Sequence, residues 1–371
     1  MKFAIITHVL HTQSKNQYFG YAPYIREMNI WIKYVDEVII IAPLTTGEPA
    51  VIDLDYKHND INFIKVSAFS FTNFKTILSS IFKLPVIIRK IFTVMKNADH
   101  IHLRCPGNMG LIACFIQILF PKKLKTAKYA GNWDPKSQQP FSYKLQKWIL
   151  NNTFLTRNMT VLIYGDWNNQ SKNIKSFFTA TYSESEKQII NKTSFDSAIE
   201  FIFVGSLVPG KNPLYAIKII QHLKEKGYSV ILNLYGEGSE RKKIESYIQT
   251  DGLENFIILH GNQSKDMVEK AYKKSHFVIL PSKSEGWPKA IAEGMFWGCV
   301  PIASKVSCVP YMLDYSKRGI LLDMNLDNDV NNVKAIIRDE EEFFYKSKLA
   351  IEWSQKYTTD SFEVQVKRLL T

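Results

Sequence analysis

Short apolar runs followed by amphipathic stretches recur from one end of this 371-residue chain to the other. In the first half the runs are 3–7, 37–42, 62–66, 100–104, 126–130, 161–164 and 176–180, with helical spacing over 24–33 and 77–95. In the second half they are 200–204, 230–235, 256–260, 276–280 and 300–303, and the helical segments are 213–226, 239–250, 265–274 and 288–297. A run that is apolar on both faces suits a strand covered by helices above and below. The alternation therefore predicts parallel, doubly wound α/β sheets. The length exceeds what one core holds, and the polar stretch 183–197 is the best break. The expected organisation is two Rossmann-like doubly wound domains facing a cleft, 1–182 and 183–354. The tail 355–371, with a short amphipathic helix over 361–370, can pack on either domain and is grouped with the first.

The longest uniformly apolar stretch, 111–120, is too short to span a bilayer and reads as a buried helix. The chain opens directly into a strand pattern, with no signal-peptide cleavage region. Cys105, Cys114, Cys299 and Cys308 lack metal-ligand spacing and fit free thiols in a reducing cytoplasm. Charge is unevenly placed. Residues 1–180 hold 22 Lys and Arg against 10 Asp and Glu, and residues 181–371 hold 25 against 25, so the formal net charge of +12 belongs to the first half. That half is expected either to meet an anionic partner or simply to be a solubilising surface.

The segment 281–304 carries the strongest chemical signal: Glu285 and Glu293, the first before Gly286-Trp287-Pro288 and the second inside the following helix. Pro288 suits the first helical position and Gly298 the helix end. Both carboxylates thus fall at the carboxyl end of strands, where open α/β sheets bind ligands. Acceptor groups beside helix-start N–H donors suit a polyhydroxyl ligand carrying phosphate. Gly205, Ser206 and Lys211 lie in another strand-to-helix loop, where a lysine near a helix start can meet phosphate; alone, an ordinary turn is the better reading. Gly236-Glu237-Gly238 is weak as a dinucleotide fingerprint.

In the first half, His100 and His102 share a strand face without a third metal ligand, and Arg104 emerges at that strand's end before Asn108. Asn132, Trp133 and Asp134 end another strand and fit either sugar contact or loop packing. Asp53-Leu54-Asp55 matches a two-carboxylate metal pattern but reads better as a solvated loop.

Taken together, Gly205-Ser206-Leu207 with Lys211, Glu285-Gly286-Trp287-Pro288, Glu293, and Gly298-Cys299-Val300-Pro301 resemble a GT-B-fold glycosyltransferase of the retaining family 4. The resemblance is strongest in the C-terminal half. It implies that Glu293 binds the ribose hydroxyls of a nucleotide sugar and Glu285 the donor-sugar hydroxyls, near the backbone N–H groups of Gly286, Trp287 and the neighbours of Pro288. Lys211 would pair with the diphosphate, Gly20 would admit it from the other domain, and Gly236, Glu237, Gly238 and Asn262 would line the base. Two positions depart from the family pattern. Ser206 stands where an arginine is usual, and Arg104 where many relatives carry a histidine, with His102 two residues away. The catalytic set implied is Glu285, Lys211 and Arg104, with His102, Asn108, Asn132 and Trp133 on the acceptor side.

The expected activity is transfer from a nucleotide sugar to a hydroxyl of a glycan or polyprenyl-linked acceptor, with retention, without metal or cofactor, in cell-envelope or polysaccharide synthesis. The expected location is the cytoplasm or the inner face of an anionic membrane, with no nucleic-acid partner. The alternatives are a sugar-nucleotide epimerase of the same fold and a non-catalytic membrane-surface binding protein.

Overall fold

The computed structural model describes residues 1–50, 52–67, 74–195 and 197–371, with side chains described for all of these except 74–82. It divides into two compact units, Met1–Phe178 with Phe362–Thr371, and Thr179–Ser361. The division falls a few residues before the expected break at 183–197, of which Asp196 lies outside the described residues.

In the first unit seven parallel strands run in the order Ile174–Phe177, Met159–Tyr164, Leu124–Tyr129, His100–Cys105, Lys2–Ile6, Glu37–Thr46 and Ile61–Val66. Alternate residues of the first strand face opposite layers, as the pleat requires. Ala4 and Ile6 join a core made with helices Phe74–Asn97, Asn108–Ile116 and Phe141–Leu150. On the other face Phe3 stacks on Trp31 of helix Ala22–Ile32, with ring centroids 5.9 Å apart. The helix Thr359–Leu370 returns Phe362 to this unit, edge-on to Phe177 and Phe178.

The parallel sheet carries an antiparallel addition that the strand pattern does not show. The end of Glu37–Thr46 pairs with His11–Ser14, which turns into the antiparallel strands Gln17–Tyr21 and Asp53–Asp55. Lys15 and Asn16 both take positive φ, the backbone of a tight two-residue hairpin. Because the turn lacks glycine, the sequence did not announce it. The expected loop at Asp53 and Asp55 is thus a short strand. Asp55 pairs with Lys57 at 2.8 Å, and Asp53 accepts the N–H of Ala50.

The second unit is wholly parallel, in the order Ile257–Gly261, Val230–Tyr235, Ile199–Val204, Phe277–Leu280, Val300–Ser304 and Ile320–Leu322. Helices Pro213–Glu225, Arg241–Thr250, Lys265–Lys274 and Lys289–Phe296 connect the first five strands. The strand Ile320–Leu322 and helices Leu326–Arg338 and Glu340–Ser354 add a closing edge that was not anticipated. Both added helices are capped by side chains. Asn325 accepts from the N–H of Asn328 and Asp339 from that of Glu342.

Candidate functional site

Strand Ile199–Val204 lies between Val230–Tyr235 and Phe277–Leu280. The chain builds outward on one side of it and then crosses to the other. The loops leaving the carboxyl ends of Ile199–Val204 and Phe277–Leu280 consequently diverge and leave a crevice. One loop carries Gly205, Ser206 and Lys211, and the other Glu285, Gly286 and Trp287. The two are tied together where the N–H of Lys283 donates to the carbonyl of Gly210 at 2.8 Å.

Across that crevice Lys211 Nζ sits 2.5 Å from Oε1 of Glu285. The carboxylate is nearly enclosed and the lysine partly open, with side-chain exposures of 7% and 30%. A bare carboxylate here would repel any incoming phosphate, and the ammonium neutralises it. The half-open lysine can face an anion, and the contact engages Oε1 of Glu285.

Gly236 and Gly238 owe their identity to backbone packing. A Cβ on Gly236 would strike the carbonyl of Gly205, and one on Gly238 the carbonyl of Leu207. The two loops join through Gly205 N–H to the Tyr235 carbonyl and Leu207 N–H to the Glu237 carbonyl, each at 2.9 Å. The Gly-x-Gly thus shapes the floor of the crevice by close approach. The Glu237 side chain pairs with Arg241, and Ser206 and Asn262 are exposed beside this floor.

Pro288 occupies the N-cap and not the first helical position, a correction of one residue. Its carbonyl accepts from the N–H groups of Ile291 and Ala292, while its ring fixes an extended φ of −73° before the first turn. Gly298, at φ +79°, closes the helix as expected. Ser307 Oγ and Cys308 Sγ donate to the Gly286 carbonyl at 3.2 and 3.1 Å. In that trans peptide the N–H of Trp287 points the opposite way. The Trp287 ring stacks on Trp353 and meets Tyr357, anchoring the loop. Glu293 accepts from Thr181 Oγ1 at 2.7 Å and from Tyr272 OH at 3.4 Å. Its carboxylate also borders a small pocket shared with Trp287, Phe296, Ser354 and Tyr357.

The first unit has its own switch point, between Lys2–Ile6 and His100–Cys105. Arg104 stands there, largely enclosed, 3.7 Å from Glu27 and over the Tyr24 ring at 5.3 Å. Glu27 is held more tightly by the fully buried Lys128, at 2.6 Å. Asn108 begins the helix next to this crevice. His8, which the sequence reading missed, closes against Gly107 so tightly that any Cβ there would meet its ring. Burial of the ring and then the Arg104 cation hold His8 below the usual histidine range. Its signal was simply a histidine two residues beyond the first strand.

Several expected contacts are corrected. His102 is fully buried, bonded to Thr126 Oγ1 at 2.9 Å and packed on Phe3 and Trp31, so it cannot reach an acceptor. Trp133 is core, edge-on to Tyr129 at 4.9 Å, and Oδ1 of Asn132 accepts the N–H of Asp134. Gly20 is not a loop residue. It lies inside strand Gln17–Tyr21, where Ile25 and His11 cover it. In each case the residue found its neighbours inside the unit.

Residues 184–349, nearly all of the second unit, match the family described as Glycosyl transferases group 1. The chain is 26% identical over 204 residues to the uncharacterized glycosyltransferase MJ1178 of Methanocaldococcus jannaschii, covering 54% of this chain and 56% of that protein. It is 27% identical over 144 residues to the UDP-Gal:alpha-D-GlcNAc-diphosphoundecaprenol alpha-1,3-galactosyltransferase of Escherichia coli, covering 38% and 37%. These alignments span little more than half of the first relative and about a third of the second. In fold, the whole chain superposes on the lipopolysaccharide outer core galactosyltransferase WaaB in its apo form. The TM-score is 0.70 at 16% identity, over 100% of this chain and 99% of the other. The chain has the GT-B fold, and the resemblance to GT-B glycosyltransferases read from its motifs holds.

Proposed function

We propose that this chain is a retaining glycosyltransferase. It takes a sugar from a nucleotide-sugar donor to a hydroxyl of a glycan or lipid-linked acceptor of the cell envelope, at the inner face of the membrane and without a metal ion. The observation that carries the reading is the Lys211–Glu285 pair at the switch point of the second sheet. The names of the relatives support it: one uses UDP-Gal and a diphosphoundecaprenol acceptor, and another builds lipopolysaccharide outer core.

In the reaction, the bond from the anomeric carbon to the diphosphate oxygen breaks and its electron pair stays on the diphosphate. The acceptor oxygen bonds to that carbon on the same face, and its proton passes to the departing phosphate. Lys211 and the starts of helices Pro213–Glu225 and Lys289–Phe296 would stabilise the charge that develops. Glu285 would hold donor-sugar hydroxyls and Glu293 ribose hydroxyls. Ser206 could donate a hydrogen bond where the family pattern has a cation, so Lys211 would carry more of the charge.

The test is a thermal-shift screen of nucleotide sugars, followed by transfer to a polyprenyl-diphosphate-linked sugar and assignment of the new anomeric configuration. Stabilisation by one donor, with transfer and retention, is expected. Conversion of the donor sugar without an acceptor would instead mean an epimerase. Stabilisation with no turnover would mean a binding protein.

A further inference from the structure

The three helices on one face of the first sheet, Phe74–Asn97, Asn108–Ile116 and Phe141–Leu150, bury a common core and turn their other sides to solvent. Those outer sides are not the polar surface that a helical layer normally presents. Phe92, Phe115, Phe141, Trp148 and Phe154 are all exposed, from 39% at Phe92 to 78% at Phe141. Phe141, Lys144 and Trp148 fall at i, i+3 and i+7 and so share one stripe of their helix. Large apolar side chains gathered on an outer face mark an interaction site.

The segments are joined into one surface. Lys123 Nζ donates to the Lys96 carbonyl at 2.7 Å, Gln117 Nε2 to that of Leu155 at 3.1 Å, and Asn158 Nδ2 to that of Pro121 at 3.0 Å. Phe92 touches Phe120, with centroids 5.2 Å apart, and the Arg157 guanidinium lies over the Phe154 ring at 4.8 Å.

Charge on this surface is mainly positive. Residues 83–158 contain 13 Lys and Arg against two acidic residues, Asp99 and Asp134; Lys125 and Lys128 are buried and Arg104 turns inward to Glu27, which leaves ten basic residues for the outer face. Lys96, Lys122, Lys144 and Arg157 are exposed among the aromatic side chains. Phenylalanine and tryptophan interleaved with lysine and arginine suit the headgroup region of an anionic bilayer, where rings enter the acyl boundary and cations meet phosphates. An acidic protein surface would be matched by the charge but not by rings this exposed. No helix among the described residues is long and apolar enough to cross a membrane, so the contact would be peripheral.

We propose that the outer face of this helical layer is a docking surface for an anionic membrane, seated through Trp148, Phe154 and the surrounding cations. This deepens the proposed location and lipid-linked acceptor, and it rests on that reading only for its purpose.

The experiment is flotation with vesicles of phosphatidylcholine alone or with phosphatidylglycerol. It compares the full chain with Trp148→Ala/Phe154→Ala and Lys122→Glu/Arg157→Glu, none of which lies in the proposed donor site. Binding to the phosphatidylglycerol vesicles, weakened about tenfold or more by either double substitution and by high salt, is expected. Unchanged thermal melting and unchanged donor-induced stabilisation would show that the variants fold and keep the donor site. Absence of binding at low salt, or equal binding by all variants, would overturn the proposal. So would a wild-type dimer that the aromatic substitutions dissociate without any effect on vesicles. A failed donor screen alongside intact vesicle binding would sink the glycosyltransferase reading alone.

Discussion

Lys211 Nζ and Oε1 of Glu285 meet at 2.5 Å across the gap between two strand-to-helix loops that are 74 residues apart in sequence. The pair joins the crevice's cation to its enclosed carboxylate. Each residue therefore sets the electrostatic state of the other before a ligand arrives.

Substituting the two members should have separable effects. Lys211→Ala is expected to lower transfer by about 10²–10³-fold through lost stabilisation of the leaving diphosphate. It should also weaken donor binding. Glu285→Gln keeps the shape and should lower transfer severely while leaving thermal melting nearly unchanged. Near-wild-type transfer by Glu285→Gln would end its assignment to the donor sugar.

Gly236→Ala and Gly238→Ala should damage the floor of the same crevice. Each added methyl would run into a backbone carbonyl, of Gly205 and Leu207 respectively, which cannot swing away as a side chain can. The cost should be about 1–3 kcal/mol of stability, as for overpacking. Donor-induced thermal stabilisation should fall by more than stability alone explains. Wild-type stability and donor response in both variants would mean that the loops are not packed this way.

In the first unit, Glu27 binds Lys128 inside the core and leaves Arg104 the outer position. Lys128→Met removes the nearer cation from a buried carboxylate and should destabilise the chain by about 3–5 kcal/mol. Replacing Glu27 by Gln together with Lys128→Met should recover part of that loss. Urea unfolding of the three variants measures the coupling, and strict additivity would show that the two side chains act independently.

Stability should fall on mild acidification. Burial lowers His11 and His100 to about 4, so the folded chain resists protons that the unfolded chain binds from about 6.5 downward. Between those two values the unfolded state holds more protons. Stability is thus complete above the upper value and declines toward the lower one, by up to about 1.4 kcal/mol per pH unit for each histidine. Urea midpoints at pH 7.5, 6 and 5 report this directly. A flat or rising series would contradict it.

The motif around Glu285 and Glu293 was legible because close backbone approach and helix entry demand particular residues at fixed offsets. Glycine and proline announce such constraints without any partner being known. The hairpin at Lys15 and Asn16 was not legible, since its turn residues adopt positive φ without the usual glycine. The two carboxyl-terminal helices of the second unit were capped by Asn325 and Asp339, signals that were present and overlooked.

His102, Trp133 and Gly20 were misplaced for a common reason. A histidine, tryptophan or glycine in or just after a strand looks the same in sequence whether it faces solvent or a neighbouring layer. Thr126, Tyr129 and Ile25 settle those three, the first from a neighbouring strand and the other two from residues close by in sequence whose direction only the folded backbone fixes.

By itself, the sequence determined the repeated strand and helix units, the parallel second sheet, and the loop that carries Glu285 and Glu293. All of these follow from local periodicity and backbone chemistry. Only the tertiary structure decided that Lys211 rests on Glu285, that Lys128 and Arg104 compete for Glu27, and that His8 closes on Gly107. Those contacts depend on strand order, which places residues far apart in sequence on adjacent strand ends and which no local pattern encodes.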